Sequence, residues 1–290
     1  MKAIIFGANG QDGYYLSKIL EQKNIDVIGI SRSGYFLRVD ITNYNEVAQL
    51  IKNTQADFIF HLAANSTTNH TALFENHQTI STGTFNILEA VKIFSIHTKV
   101  FICGSGLQFV NNDAPIKETD DFEARDAYSV SRIQSVYAAR YYRRLGVKTY
   151  VGYLFNHDSP RRTERHMAKK ISALANRIYN GSDEKLEIGD ISVIKEWTFA
   201  GDVAQGMFTL INQDNIWEAN ISSGIGYSIE DWLDVCFKLI GKKWQDYIIL
   251  KNDYTPEYKQ LVSDASTILS LGWKPAVDFE ELAKMMIFNN

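Results

Sequence analysis

A doubly wound α/β fold built on a parallel sheet is what this chain predicts, and three observations carry the prediction. Apolar runs of strand length alternate with amphipathic stretches of helix length, the first run leads straight into a glycine-rich turn, and no repeat or low-complexity tract breaks the rhythm. With 290 residues and 45% apolar content, the chain can bury a sizeable core as one large or two fused domains.

The elements follow in order. Residues 3–6 form an apolar strand, 13–22 an amphipathic helix and 26–31 a second strand. Residues 43–53 read as a helix, 58–62 as a strand and 78–94 as a long helix, followed by a strand at 99–103. A helix around 127–145 and a strand at 148–154 complete the regular part. Beyond Leu154 the rhythm loosens: Pro160-Arg161-Arg162 opens a polar stretch, 167–179 is helical, and 187–188 is a short strand. A helix at 229–240 follows, Leu271-Gly272-Trp273-Lys274-Pro275 ends another, and 278–287 is the last.

The turn Gly7-Ala8-Asn9-Gly10-Gln11-Asp12-Gly13 lies between the first strand and the first helix. Glycines at this spacing give a tight turn, close approach of backbone to a pyrophosphate, and close packing of helix on strand. The helix N-terminus adds unpaired N–H groups and the positive end of its dipole. Residues 1–155 are therefore expected to form a dinucleotide-binding, Rossmann-type domain, with 195–215 returning to it. Residues 156–290 are expected to form mainly a smaller C-terminal substrate-binding α/β region. The second strand ends in Ile30-Ser31-Arg32-Ser33 with no carboxylate for a ribose 2′-hydroxyl. Arg32 between two hydroxyls suits a 2′-phosphate, which leans towards NADP and leaves NAD open, and Asp40 is a candidate partner for the adenine amino group.

Tyr128-Ser129-Val130-Ser131-Arg132 places a phenol and a guanidinium one helical turn apart on one face. A nearby cation favours the phenolate, which is how a tyrosine handles a proton near neutral pH. A formal charge of −4 and a pI near 5.9 give no basic field for nucleic acid or an acidic membrane surface. No run is long enough to span a bilayer, and the N-terminal apolar run reads as a buried strand, not a signal peptide. Cys103 and Cys236 are expected as buried free thiols of a cytoplasmic protein. His70, His77 and His97 are scattered without metal-binding spacing, so no metal is expected; His61, ending a strand, reads as structural or cofactor-lining. His157 and His166 flank Arg161-Arg162 in a loop suited to solvent or to phosphate capture.

On these residues the chain resembles the extended short-chain dehydrogenase/reductase family. The resemblance covers nearly the whole length and rests on Gly7, Gly10 and Gly13, on His61-Leu62-Ala63-Ala64, on Gly104-Ser105-Gly106, and on Tyr128 with position 132. More narrowly, Gly10-Gln11-Asp12-Gly13-Tyr14-Tyr15-Leu16 and Leu154-Phe155-Asn156-His157-Asp158-Ser159-Pro160-Arg161-Arg162 look like the GDP-mannose 4,6-dehydratases. Lys195-Glu196-Trp197, Gly201-Asp202-Val203 and the segment 271–275 are similar to the same group. Overall length and the short gap from Arg32 to Asp40 look more like the related GDP-4-keto-6-deoxymannose reductases.

The resemblance implies a nucleotide-activated sugar, GDP-linked (hexose or heptose), oxidised or reduced at C4 with a nicotinamide cofactor. Gly7, Asn9, Gly10, Gln11, Asp12, Gly13, Leu62, Ala63 and Ala64 would line the cofactor, and Tyr128 would move the hydroxyl proton. Ser105 would bond the same oxygen, and the cation at 132 would hold the nicotinamide ribose. Asn156, Arg161, Lys170 and Lys195 would meet the sugar and its diphosphate. It further implies a homodimer joined by a four-helix bundle, which would explain the aromatic helix around 137–142 with Arg140, Arg143 and Arg144.

Three positions depart from the pattern. The dehydratases carry, two residues after the position of Ser105, a glutamate that removes the C5 proton; here it is Leu107, which cannot take a proton. Arg132 replaces a lysine, and its planar guanidinium keeps the charge but does not deprotonate. Tyr254 stands where an arginine for the nucleotide diphosphate is expected. The expectation is thus an NAD(P)-dependent sugar-nucleotide oxidoreductase, a dehydrogenase or 4-keto reductase. The alternatives are a dehydratase with a non-standard base and a cofactor-binding homologue without turnover.

Overall fold

In the computed structural model, which describes residues 1–251 and 253–289, six parallel strands form the central sheet. They are β1 (Lys2–Phe6), β2 (Asp26–Ile30), β3 (Phe58–His61), β4 (Lys99–Ser105), β5 (Lys148–Leu154) and β6 (Glu218–Ile221), in the order β2-β1-β3-β4-β5-β6. Their inner residues are almost wholly apolar, as a sheet covered by helices on both faces demands. One face packs under α2 (Tyr44–Thr54), α3 (Gly83–Phe94) and α4 (Ala127–Arg144), and the other under α1 (Gln11–Gln22) and α6 (Ala200–Ile211). Beyond β2, among the described residues, lies a single parallel bridge between Ile30 and Leu37.

Residues 200–211 form α6, which packs on the sheet, and the chain continues into β6, which pairs with β5 from Glu218–Val151 to Ile221–Leu154, whereas Ile194–Glu196 pairs in a separate small sheet with Gly226–Ser228 and Gln260–Leu261. A third apolar cluster forms the remainder, from α5 (Met167–Tyr179), α7 (Ile229–Leu239) and α8 (Phe279–Phe288). Its centre is Trp197 stacked on Trp232 at 4.6 Å. Glu196 is fully buried and accepts from the backbone N–H groups of Ser263 (2.7 Å) and Gly224 (2.8 Å). Asp202 similarly accepts from the N–H groups of Ala276 and Val277, while Trp273 Nε1 donates to the Asp202 carbonyl. The Lys195–Trp197, Gly201–Val203 and 271–275 segments therefore hold the C-terminal region to the sheet.

The helix before α4 begins at Leu73 and contains a π-helical turn, His77–Thr82, before α3. That turn carries Ser81, whose Oγ donates to Gln134 Oε1 (2.8 Å), and packs on α4 behind the Tyr128 face. Arg140 and Arg143 do not lie on an exposed face of α4. Both turn inward to Glu218, with Arg140 Nη2 at 2.7 Å and Arg143 Nη1 at 3.0 Å, and the Tyr153 hydroxyl donates to the same carboxylate at 2.7 Å. The exposed residues of this helix are Gln134, Arg144 and two aromatics, Tyr137 and Tyr141, at 57% and 56%.

Burial alone would raise the Glu218 carboxyl, but the bonds from Arg140 and Tyr153 outweigh it and hold the group below its ordinary value. Its stabilisation is therefore present above the ordinary carboxylate range and lost as pH falls through the lowered value. Glu218→Gln is expected to cost about 2–3 kcal/mol near neutral pH, since it leaves two arginines short of their counter-charge. Denaturant melts at several pH values should show the deficit shrinking below about pH 4.

Candidate active site

A cavity of 440 Å³ opens at the C-terminal ends of β1, β3, β4 and β5, where doubly wound sheets place their ligands. The glycine turn forms its floor. Gly7 sits at φ +92°, and a Cβ there would lie 2.7 Å from the Ala63 nitrogen. A Cβ on Gly13 would lie 2.6 Å from the Gly7 carbonyl oxygen, so these two glycines are required by the protein's own packing. Gly10 differs: a Cβ there meets only the Gly7 carbonyl oxygen, at 3.3 Å. Its smallness serves whatever approaches the turn from the cavity, which is the mark of a backbone cradle for a dinucleotide.

At the other end stand Tyr128, Arg132 and Ser105, all on the cavity wall. Asp126 caps α4 by accepting from the N–H groups of Tyr128 and Ser129, which fixes the helix start. Arg132 is only 4% exposed; its Nη1 donates to the Cys103 carbonyl at 2.9 Å, and its guanidinium carbon lies 5.0 Å from the Tyr128 ring centre. Burial opposes its charge, but Tyr128, Cys103 and Asp12 outweigh burial and hold the group above its ordinary value. Its Nε has no partner among the described residues. Ser105 is the N-cap of a short turn: its N–H donates to Gln108 Oε1 (2.8 Å) and its Oγ accepts from the Leu107 N–H (3.2 Å). That leaves the Ser105 hydroxyl proton available to a ligand oxygen.

His61 is fully buried and bonds the Ile80 carbonyl through Nε2 (3.3 Å). Burial, then Arg132, push it down to about 4, so it is neutral and stays behind the wall. Burial pushes the Cys103 thiol up to about 12, which removes it as a nucleophile.

The sequence-predicted residues divide. Gly7, Asn9, Gly10, Gln11, Asp12, Gly13, Leu62 and Ala64 line the cavity, as do Ser105, Tyr128, Arg132, Asn156 and Arg161. Arg32, Asp40, Ala63, Lys170 and Lys195 do not. Arg32 is an exposed residue paired with Glu75 at 3.1 Å, and Asp40 accepts from the Thr42 N–H and hydroxyl. Lys195 lies over the Trp197 ring, its ammonium lowered by burial against the pull of Asp158. Arg161 stacks on Tyr14 at 4.0 Å. Residues not singled out as ligands also reach the wall: Leu107, Arg162, Arg165, His157, His166 and Tyr258. The run of three arginines and two histidines was the readable signal for the loop. Tyr254 is half exposed and packs against Gly189, outside the cavity.

Residues 4–286 match the family model described as GDP-mannose 4,6 dehydratase. The chain belongs to this family. GDP-mannose 4,6 dehydratase 2 of Arabidopsis thaliana is 32% identical over 98% of the chain and 85% of its own length. The GDP-mannose 4,6-dehydratase of Vibrio cholerae serotype O1 is 27% identical over 82% of the chain and 72% of its own. Among solved structures, that of RMD from Pseudomonas aeruginosa complexed with NADPH superposes with a TM-score of 0.88. It covers 99% of this chain and 97% of its own at 18% identity, which speaks to the fold.

The contrast among the glycines yields a direct test of the cradle. Gly10→Ala should lower the melting temperature by no more than about 4 °C, because the added methyl crowds a single atom, the Gly7 carbonyl oxygen at 3.3 Å, which must give by a few tenths of an ångström. Titration with NADPH should nevertheless show an affinity loss of at least about tenfold, worth about 1.4 kcal/mol.

Proposed function

We propose that the protein is a nicotinamide-dependent oxidoreductase acting at C4 of a nucleotide-activated, GDP-linked hexose or heptose, as a dehydrogenase or 4-keto reductase that eliminates no water. The observation that carries this reading is the acid inventory of the cavity. Among the described residues Asp12 is the one carboxylate on the wall, and it is engaged by His157 Nε2 at 2.9 Å. Leu107 occupies the wall near Ser105, and it has no group to remove a carbon-bound proton.

The glycine turn, Leu62, Ala64 and the unpartnered Arg132 Nε fit a nicotinamide dinucleotide, which when bound supplies or accepts a hydride. Tyr128 gives a proton to the C4 oxygen during reduction and takes it back during oxidation. Ser105 donates its hydroxyl hydrogen to the same oxygen and orients it. Arg132 supplies fixed positive charge beneath the Tyr128 ring and takes no part in proton relay. Asn156, whose buried Oδ1 lacks a partner among the described residues, is placed for a sugar hydroxyl, and Arg161 with Arg162 for the diphosphate.

NADP is the proposed preference over NAD. Asn9 Nδ2 donates to Ser33 Oγ at 2.8 Å and ties the Ser31–Ser33 turn to the glycine turn. Arg32 is then free to exchange its exposed Glu75 partner for a 2′-phosphate. Two copies are proposed to pair through α3 and α4, where Phe85, Tyr137 and Tyr141 are exposed. Among the described residues no helix is long and apolar enough to cross a membrane, in keeping with work in the cytoplasm. The dehydratase names of the relatives favour a second reading, 4,6-dehydration, which requires a base that neither Leu107 nor the engaged Asp12 provides.

The test is turnover of nicotinamide absorbance by purified protein with GDP-hexoses and their 4-keto derivatives. Tyr128→Phe should lower the hydride-transfer rate by at least about 100-fold while leaving NADPH affinity unchanged. Equal rates in the variant and the parent would remove Tyr128 from the mechanism.

A further inference from the structure

The start of α1 and the turn after β5 are joined by four side chains from opposite halves of the chain. His157 donates through Nε2 to Asp12 Oδ1 (2.9 Å) and through Nδ1 to the Phe155 carbonyl (2.7 Å). Both ring nitrogens face oxygens, the arrangement of an imidazolium. Gln11 Nε2 donates to the His157 carbonyl (3.2 Å), and Gln11 Oε1 accepts from Ser159 Oγ (2.9 Å). Gln11, His157 and Ser159 are all buried. Asp12 stands in the first turn of α1, two residues after the N-cap Gly10. An uncompensated carboxylate there would repel an anion approaching the same helix end. On the other side, the turn held by His157 and Ser159 runs directly into Arg161 and Arg162, on the cavity wall.

We propose that Gln11, Asp12, His157 and Ser159 form a latch of positioning residues through which a dinucleotide on the glycine turn and a nucleotide diphosphate against Arg161 and Arg162 tighten each other's binding. The proposal rests on the reading above that the cavity takes both ligands. A pyrophosphate seated on the turn fixes the backbone of Gly10–Asp12. The latch passes that order to His157–Ser159 and so to the arginines that follow, so the second ligand meets a turn already set. Linkage makes the effect mutual and equal in factor.

The charge on His157 is part of the latch. The groups facing it are Asp12 from α1, and Arg162 and His166 from its own turn and the start of α5; Asp158 is taken up by Arg162 at 3.2 Å. The neighbouring strand Thr198–Phe199 pairs with His157–Asp158 and adds no titratable group. Burial would push His157 down, but Asp12 outweighs burial and holds it above its ordinary value. Raising pH through that value discharges His157, exposes the Asp12 charge to the turn, and weakens both binding and coupling.

Calorimetric titration of the intact protein with GDP, with and without saturating NADPH, tests this. The parent should bind GDP at least about fivefold tighter with NADPH present, a factor that declines towards one between pH 6 and pH 9. In His157→Gln the factor should lie within about twofold of one at every pH, with each ligand still binding alone. If that variant does not fold, the pH series on the parent decides by itself. A factor of one in the parent, a factor constant across pH, or a parental factor retained in His157→Gln each overturns the latch. Failure of GDP to bind the parent with or without NADPH overturns the cavity's assignment, and the latch with it.

Discussion

A cation that cannot be discharged is buried at the heart of this molecule, and the Tyr128 end of the cavity is arranged around it. Arg132 keeps its charge at any physiological pH, and burying such a charge costs several kcal/mol unless it is compensated. Compensation comes from the Cys103 carbonyl at the end of β4 and from the face of Tyr128 one turn earlier on α4. The neighbouring His61, pushed down by burial and then by Arg132, is neutral, so the position carries one cation and not two. A lysine in this place would keep the option of passing a proton. The arginine confines the position to holding charge, and in the proposed function proton handling falls to Tyr128, with Ser105 on the same cavity wall.

The opposite end of the cavity is organised by a second charged pair. Asp12 and His157 join the glycine turn to the basic turn at 159–166, and both lie where phosphate groups would meet the protein. This engagement also bears on chemistry, because it occupies the one acidic side chain on the wall among the described residues. With Leu107 apolar, the described residues of the wall offer charge, hydroxyls and no carboxylate free to abstract a proton from carbon. Family membership and local chemistry thus point to a common substrate class but to different depths of reaction.

Much of this was readable from the chain. The strand–helix alternation gave the five N-terminal strands to within about one residue at each end, except that β4 runs on through Ser105. The glycine turn, Ser105, Tyr128 and Arg132 meet in one cavity as their order implied. What escaped has physical reasons. The strands Ile194–Glu196, Gly226–Ser228 and Ile248–Leu250 are three residues each, too short for a period to register. β6 reads Glu-Ala-Asn-Ile, and its Glu218 belongs to a strand only because Arg140, Arg143 and Tyr153 wait for it on the sheet edge. The inward turn of those arginines, and the pairing of His157 with Asp12 across 145 positions, depend on tertiary placement that no local spacing records. The Lys195–Trp197 motif was legible as a family mark, but its acidic member proves to be a structural acceptor for backbone N–H groups.

The central claim is that this site moves hydride and a hydroxyl proton without touching C5. Conversion of a GDP-hexose or its 4-keto derivative in deuterium oxide, followed by mass and NMR analysis of the sugar, addresses it directly. The account predicts a product changed only at C4, with no deuterium at C5 and the C6 substituent retained. A 4-keto-6-deoxy product carrying solvent deuterium would contradict it.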